Sequence, residues 1–250
     1  MNRDQILKVS SMPAASPSYP LPPFRFVNRE YMIVMYESDP DAIRAALPEP
    51  LVPDPSNQAF YEWIRMPDSS GFGDYTESGV VIPCSFNGTP ASFVAQMYLD
   101  DDPPIAAGRE IWGFPKKLAS PKLELVKDTL TGTLDYAGQR VAMGTMVYKH
   151  ENQSRHPAKT KAALSKLQCM LKIIPDVDGK PKIAQLVGLH LTEITVKGSW
   201  SGPAQLHLVP HVNAPVAALP VRKVVGGRHF LADLTLPGGQ VLVDYMNGDG

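Results

Sequence analysis

The sequence predicts a mainly β domain, antiparallel in its pairing, with a few short helices. Three observations carry this. Proline supplies 25 of 250 residues, well above an average usage of about 5%, and is spread along the whole chain. Each proline removes a backbone donor and blocks the helical turn before it, which disfavours a helical bundle and a doubly wound Rossmann sheet. From residue 51 to about residue 150, short apolar runs alternate with clusters of Gly, Pro, Asn and Asp, the spacing of an antiparallel sheet or barrel, and further strands follow. No linker interrupts that pattern, so residues 1–250 read as one domain, a length within reach of a single all-β fold.

Residues 1–23 are polar and then Pro-rich. Asp4 to Val9 suits one or two helical turns, whereas Met12–Pro23, with five prolines, must be extended. This reads as an arm lying on the domain or on a neighbouring subunit. Arg25–Tyr36 alternates and is rich in β-formers, so it predicts a strand. A helix start follows: Ser38 or Asp39 as cap, Pro40 at the first helical position and Asp41 at the positive end. Pro48 and Pro50 stop it. The next strands are predicted at 60–66, 79–86, 92–99, 122–126, 132–136 and 141–148. Residues 157–167 have helical composition, and further strands fall at 170–174, 183–191, 193–200, 204–208, 221–226, 230–236 and 241–245. Gly226-Gly227 reads as a turn.

Charge excludes more than it suggests. Lys and Arg total 24 against 25 Asp and Glu, a net charge of −1 without long runs of either sign, so neither nucleic acid nor an anionic membrane is an expected partner. No run of about 18 apolar residues exists to span a bilayer, and the N-terminus lacks the apolar core of a signal peptide. The expected compartment is the cytoplasm. Cys84 and Cys169 lack a nearby second thiol for a metal site and read as two reduced core cysteines rather than a disulfide. Phosphate-loop, dinucleotide, HExxH and GxSxG motifs are absent. His207 and His211 have metal-like spacing, but Pro210 argues against a helix there. Asp100–Asp102, followed by two prolines, read as an acidic turn before a hard-cation site.

The unusual segment is Gly108-Arg-Glu-Ile-Trp-Gly-Phe-Pro-Lys-Lys-Leu118. Its plain reading is a strand or turn with Lys116 and Lys117 in water, since Lys is almost never fully buried. Its chemical reading is an amine nucleophile, which forms Schiff bases with carbonyl substrates only when neutral. An ordinary lysine titrates near 10.4, and bringing it to neutrality requires roughly 4.6 kcal/mol of disfavour for the ammonium. A second ammonium about 6.5 Å away supplies about 2.6 kcal/mol at an effective dielectric of 20. In an extended segment, however, Lys117 points to the opposite face from Lys116. Burial in an apolar pocket lowers a lysine by about 3–5 units, so desolvation is the expected main cause. Pro115 fixes φ just before Lys116 and helps to aim it.

These residues resemble the acetoacetate decarboxylase family. The Phe-Pro-Lys-Lys-Leu segment is similar to that family's Schiff-base motif, and similar pieces stand around it: Asn28-Arg-Glu-Tyr31, Pro48-Glu-Pro-Leu51, Tyr75-Thr-Glu-Ser-Gly79, Ser85-Phe-Asn-Gly88, Met97-Tyr-Leu-Asp100, Gly132-Thr-Leu-Asp-Tyr136, Met170-Leu-Lys-Ile-Ile-Pro175 and Ser201-Gly-Pro203. The family is itself a familiar case of a lysine activated by desolvation or a neighbouring cation. The resemblance covers nearly the whole chain and implies a cone-like antiparallel barrel and a large homo-oligomer. It implies that Lys116 is the Schiff-base lysine, Lys117 its neighbour, Arg29 a site arginine, Glu77 a site glutamate that Arg29 orients, and Glu62 a second carboxylate near the pocket. Phe114 departs from the pattern, standing where family members often carry Tyr. Taken without the resemblance, Arg29 is a surface ion-pair residue, Glu77 a turn carboxylate, Glu62 an exposed strand residue and Met97 core packing.

The implied activity is decarboxylation of a small β-keto acid, acetoacetate to acetone and carbon dioxide, with no metal or coenzyme. Two other readings stand beside it. One keeps the Schiff base for aldol or dehydration chemistry on another keto acid; the other is a barrel that binds a small ligand without turnover.

Overall fold

In the computed structural model, which describes residues 1–247, sixteen strands are arranged in two sheets. In chain order they are β1 (Phe24–Glu37), β2 (Val52–Pro53), β3 (Gln58–Ser69), β4 (Gly73–Phe86), β5 (Thr89–Leu99), β6 (Lys116–Leu118), β7 (Ser120–Val126), β8 (Thr129–Tyr136), β9 (Gln139–Val147), β10 (Glu151–Asn152), β11 (Leu167–Pro175), β12 (Pro181–Leu189), β13 (Thr192–Gly202), β14 (Ala204–Leu208), β15 (Lys223–Leu236) and β16 (Gln240–Asp244). Helices are short: α1 (Arg3–Ile6), α2 (Pro40–Ala46), α3 (Asp102–Ala107) and α4 (Pro157–Leu164). The larger sheet runs β10-β13-β15-β1-β3-β4-β5-β11-β12-β16, with β2 on β4 and β6 on β5; the smaller runs β14-β9-β8-β7. Pairing is antiparallel except where β5 meets β6 and β11. The path of the larger sheet has two ends, so its hydrogen bonds do not close a ring among the described residues.

The larger sheet buries both faces. On one, Met32, Val34, Tyr36 and Trp63 pack against Leu130, Leu134, Ala142 and Met146 of the smaller sheet. Trp63 needs a flat seat there. Gly132 and Gly144, cross-strand partners on β8 and β9, provide it, since a Cβ on either would come within 2.3 or 2.4 Å of the indole. The other face gathers Tyr31, Ile64, Met97, Met170 and Phe230 into a second core that borders the cavity.

A β-bulge decides which β1 residues reach that cavity. Phe26 faces it, yet so do the odd-numbered Arg29, Tyr31 and Ile33. The change of parity comes at Asn28, with φ +57°, where the β1–β15 register slips between Phe26 and Arg29. A slip of one residue turns every following side chain to the other face. Asp233 accepts the Asn28 backbone N–H at 2.8 Å and Lys197 donates to its side-chain oxygen at 2.6 Å, pinning the bulge.

Three sequence expectations are corrected. Gly226-Gly227 is no turn: the predicted strands 221–226 and 230–236 are one strand, β15. Gly227 is needed for close approach, because a Cβ there would meet Met146 Sδ at 2.7 Å. Asp100–Asp102 do not form a free acidic turn; Asp100 accepts the Thr76 N–H at 2.9 Å and Asp102 opens α3, its following prolines suiting a first helical turn. The segment from Gly108 begins as a π-helical turn, Gly108–Trp112, rather than a strand. Cys84 and Cys169 are buried free thiols, burial pushing both up to about 12.

Candidate active site

The π-helical turn builds the site. Its carbonyl at Gly108 accepts the N–H groups of both Gly113 (3.0 Å) and Phe114 (2.9 Å), folding the chain sharply back. Gly113 sits at φ +84° with its Cα hydrogen directed at the Lys172 backbone; a Cβ would come within 2.4 Å of Lys172 Cα. The chain then enters β6, whose Lys116 pairs with Met97 of β5. The Lys116 stem crosses Gly108 so closely that a Cβ there would lie 2.6 Å from Lys116 Cδ. Arg109 donates to the Lys116 carbonyl at 3.1 Å. On the N-terminal side, the buried Tyr19 donates to Glu110 and so ties the segment before β1 onto the same turn.

Strand alternation then separates the two lysines. Lys116 is 7% exposed and faces the cavity, with Nζ 5.3 Å from the Phe114 ring centre and 5.8 Å from that of Tyr75. Lys117 points out of the site, donating to the Asn213 carbonyl at 2.6 Å and lying 5.4 Å from the Tyr136 ring centre.

Three of the expected residues meet in the cavity from β1, β4 and β6. Arg29 Nη2 donates to Glu77 Oε1 at 3.0 Å, and Glu77 Oε2 lies 3.5 Å from Lys116 Nζ. Glu77 is 3% exposed. The Arg29 guanidinium rests on the Tyr31 and Phe26 rings, 4.9 and 5.1 Å from their centres, a cation–π arrangement that offsets part of its desolvation. Glu62, on β3, lines the same cavity, half-buried and without a hydrogen-bonded partner among the described residues. The cavity has a volume of about 300 Å³.

Burial pushes the Lys116 amine below its ordinary value; the Arg29 charge lowers it further, while Glu77 opposes both. The helping cation is therefore Arg29, from a strand distant in sequence, rather than the adjacent Lys117. Burial likewise raises the Glu62 carboxyl to about 7, with Glu77 adding to the rise and Arg29 resisting it. The site holds two groups displaced towards neutrality from opposite directions, an amine and a carboxyl, which is a pattern expected of acid–base chemistry.

Further residues at the cavity are not singled out by the sequence. Tyr31 and Tyr75 stand two residues from Arg29 and Glu77 on their strands, a spacing that places them on the same face. Met97, set aside as packing, is buried and lines the cavity beside Lys116. Gly108 carried no local signal, because its requirement comes from a side chain eight residues on that folds back over it. His207 lies on β14, and His211 packs edge-on against Tyr136.

Comparison with known proteins places the chain in a family. A family model described as acetoacetate decarboxylase matches residues 11–246. An acetoacetate decarboxylase of Paraburkholderia xenovorans is 55% identical over 237 residues, covering 94% of this chain and 92% of the relative. A crystal structure of acetoacetate decarboxylase from Legionella pneumophila shares 47% identity with a TM-score of 0.90, covering 96% of each chain. A further structure, from structural studies of acetoacetate decarboxylase, shares 45% identity with a TM-score of 0.94 over 98% of this chain and 100% of that one. Matched almost from end to end by the family model and by relatives more than half identical to it, the chain belongs to the acetoacetate decarboxylase family.

Proposed function

We propose that Lys116 decarboxylates acetoacetate through a Schiff base. The observation that carries this is the Lys116 amine, removed from water and 3.5 Å from a glutamate already held by Arg29. The neutral amine attacks the ketone carbon; loss of water gives a protonated imine. The C–C bond to the carboxylate then breaks, its electron pair passing into the imine as carbon dioxide leaves and an enamine forms. Protonation of the enamine carbon and hydrolysis return the amine and release acetone. The iminium is the electron sink, so the reaction as written draws on no metal or coenzyme.

The other residues act on that centre. Arg29 disfavours the Lys116 ammonium and fixes the Glu77 carboxylate. The Glu77 carboxylate, 3.5 Å from the lysine nitrogen, disfavours a charged substrate carboxylate relative to neutral carbon dioxide. Glu62, titrating near 7, is suited to carry the proton delivered to the enamine. Lys117 has a supporting role in holding β6 to the Asn213 loop. Phe114 leaves its side of the pocket without a hydroxyl and keeps it apolar.

The aldolase or dehydratase reading is not favoured, because the strongly similar relatives are acetoacetate decarboxylases. We infer further that residues 1–250 act as one unit in the cytoplasm as a homo-oligomer. Self-association is what the resemblance to the acetoacetate decarboxylase family implies. Near-neutral charge gives no support to nucleic acid as a partner, and no helix among the described residues is long and apolar enough to cross a membrane. A cone-like curl of the larger sheet is supported by Ile194 of β13 and Val187 of β12, which come from near opposite ends of the strand path yet share one core. Borohydride reduction in the presence of acetoacetate tests the central step: the expected adduct is on Lys116, and an adduct on Lys117, or none, refutes the assignment.

A further inference from the structure

Four basic side chains line the Lys116 cavity: Arg29, Lys116, Lys166 and Arg228. Three of them have an acidic neighbour. Arg29 is held by Glu77 at 3.0 Å, and Lys116 lies 3.5 Å from the same carboxylate. Lys166, exposed just past α4, acts on Asp54, whose carboxyl is held low chiefly by hydrogen bonds from Ser56 and in smaller part by this lysine. Arg228 differs. It is half-buried, and its guanidinium has no hydrogen bond and no ion pair among the described residues.

Strand β15 aims that guanidinium. Alternate residues of a strand share a face, and Arg228 and Phe230 both line the cavity. The next position on that face is Gly226, paired with Met35, and it carries no side chain. Nothing on β15 therefore covers Arg228 on the side away from Phe230. Across the sheet, Arg228 pairs with Ile33, Ile33 with Glu62, Glu62 with Gly79, Gly79 with Met97 and Met97 with Lys116. The unpaired cation and the nucleophile thus stand at opposite ends of one cross-strand row, and both ends line the same cavity.

We propose that Arg228 binds the carboxylate of the incoming 3-oxo acid, an entry site distinct from Lys116. The inference rests on the Schiff-base reading of Lys116. An anion entering a cavity with apolar walls loses hydration and needs a partner. A guanidinium supplies one, presenting two parallel N–H donors to the two carboxylate oxygens. Arg29 is not free for this role, because Glu77 already holds it. Half-buried, Arg228 is screened by salt less than a surface cation. The contact belongs to capture and not to bond cleavage: a guanidinium kept on the carboxylate would favour the charged ground state over departing carbon dioxide. The acid is therefore released from Arg228 as the ketone carbon joins Lys116, and Glu77 acts on the carboxylate afterwards.

The test is Arg228→Gln, with turnover read as carbon dioxide release from acetoacetate. Its kcat/KM should fall roughly 10- to 100-fold, while kcat stays within about twofold. Arg228→Lys keeps the charge and should recover most of the loss. Arg228→Met replaces Arg228→Gln if that variant does not fold. Acetylacetone is the control probe, a diketone without a carboxylate. The Lys116 amine condenses with one of its ketones, water leaves, and an enaminone absorbing in the near ultraviolet forms. The rate of that reaction should be the same in Arg228→Gln as in the unaltered protein. An unchanged kcat/KM for acetoacetate overturns the proposal. So does a loss confined to kcat, or an equal loss with acetylacetone, which would report a misshapen cavity. Absence of a borohydride adduct in the unaltered protein removes the Schiff-base reading, and this proposal with it; an adduct together with an unaffected Arg228→Gln removes this proposal alone.

Discussion

Glu77 and Lys116 face one another at 3.5 Å, the outer limit of a hydrogen bond, because the other Glu77 oxygen is committed to Arg29 at 3.0 Å. A carboxylate given wholly to the lysine would hold it charged. Shared with a buried guanidinium, it leaves the ammonium undercompensated, so burial prevails and the neutral amine becomes accessible.

Arg29→Gln should therefore slow the reaction chiefly at the acid side. Losing the guanidinium removes one cation from the Lys116 environment and frees Glu77 to stabilise the ammonium. The acid limb of the kcat/KM profile should move to higher pH, with activity near pH 6–7 falling on the order of 10- to 100-fold. A pH–rate profile with an unmoved limb refutes this account.

Lys117→Met tests the converse. Its amine is directed onto the Asn213 carbonyl and away from the cavity, where solvent screens it from Lys116. The same acid limb should stay within about 0.3 pH units of its original position. A large move would mean that the adjacent ammonium, and not Arg29 with burial, governs the nucleophile.

Gly108→Ala introduces a methyl group 2.6 Å from Lys116 Cδ and 2.8 Å from Cε. The lysine must swing away from Glu77. A displacement near 1 Å costs about 100-fold in rate, so kcat should drop on that order, while circular dichroism reports an intact sheet.

Glu62 makes stability depend on pH in a defined direction. Its carboxyl is raised from 4.5 to about 7 in the folded protein, so the folded state binds more protons than the unfolded one between those values. The associated stability is fully present below pH 4.5 and is lost as pH rises through 7. Relative to Glu62→Gln, the unaltered protein should lose on the order of 3 kcal/mol across that window. Urea unfolding at several pH values measures the difference, and parallel curves for the two proteins refute it.

Lys116→Met should separate activity from stability. The folded-state amine is depressed below 10.5, so the stability it contributes is present above 10.5 and lost as pH falls through its folded value. Replacing it should abolish turnover yet raise Tm at pH 7 by about 2–4 °C for each kcal/mol recovered. The gain should shrink towards pH 10.5. A lower Tm at pH 7 would show that the lysine is not held at a cost.

The strands, the helix at Pro40–Ala46 and the opposed directions of Lys116 and Lys117 were legible in the chain, because each follows from local rules: alternation with period two, proline placement and capping. The candidate site was legible as a motif and a resemblance rather than as a geometry. What tertiary structure decided was non-local. The bulge at Asn28 that turns Arg29 inward depends on Asp233 and Lys197, some two hundred residues away. Gly226-Gly227, a turn by composition, is drawn into a strand because Met146 needs the space. The π-helical turn before Lys116 depends on partners as distant as Tyr19 and Lys172. Above all, the sequence placed a lysine after a proline, but only packing could remove it from water, since burial is a property of what the remaining chain places around an atom and not of the residues beside it.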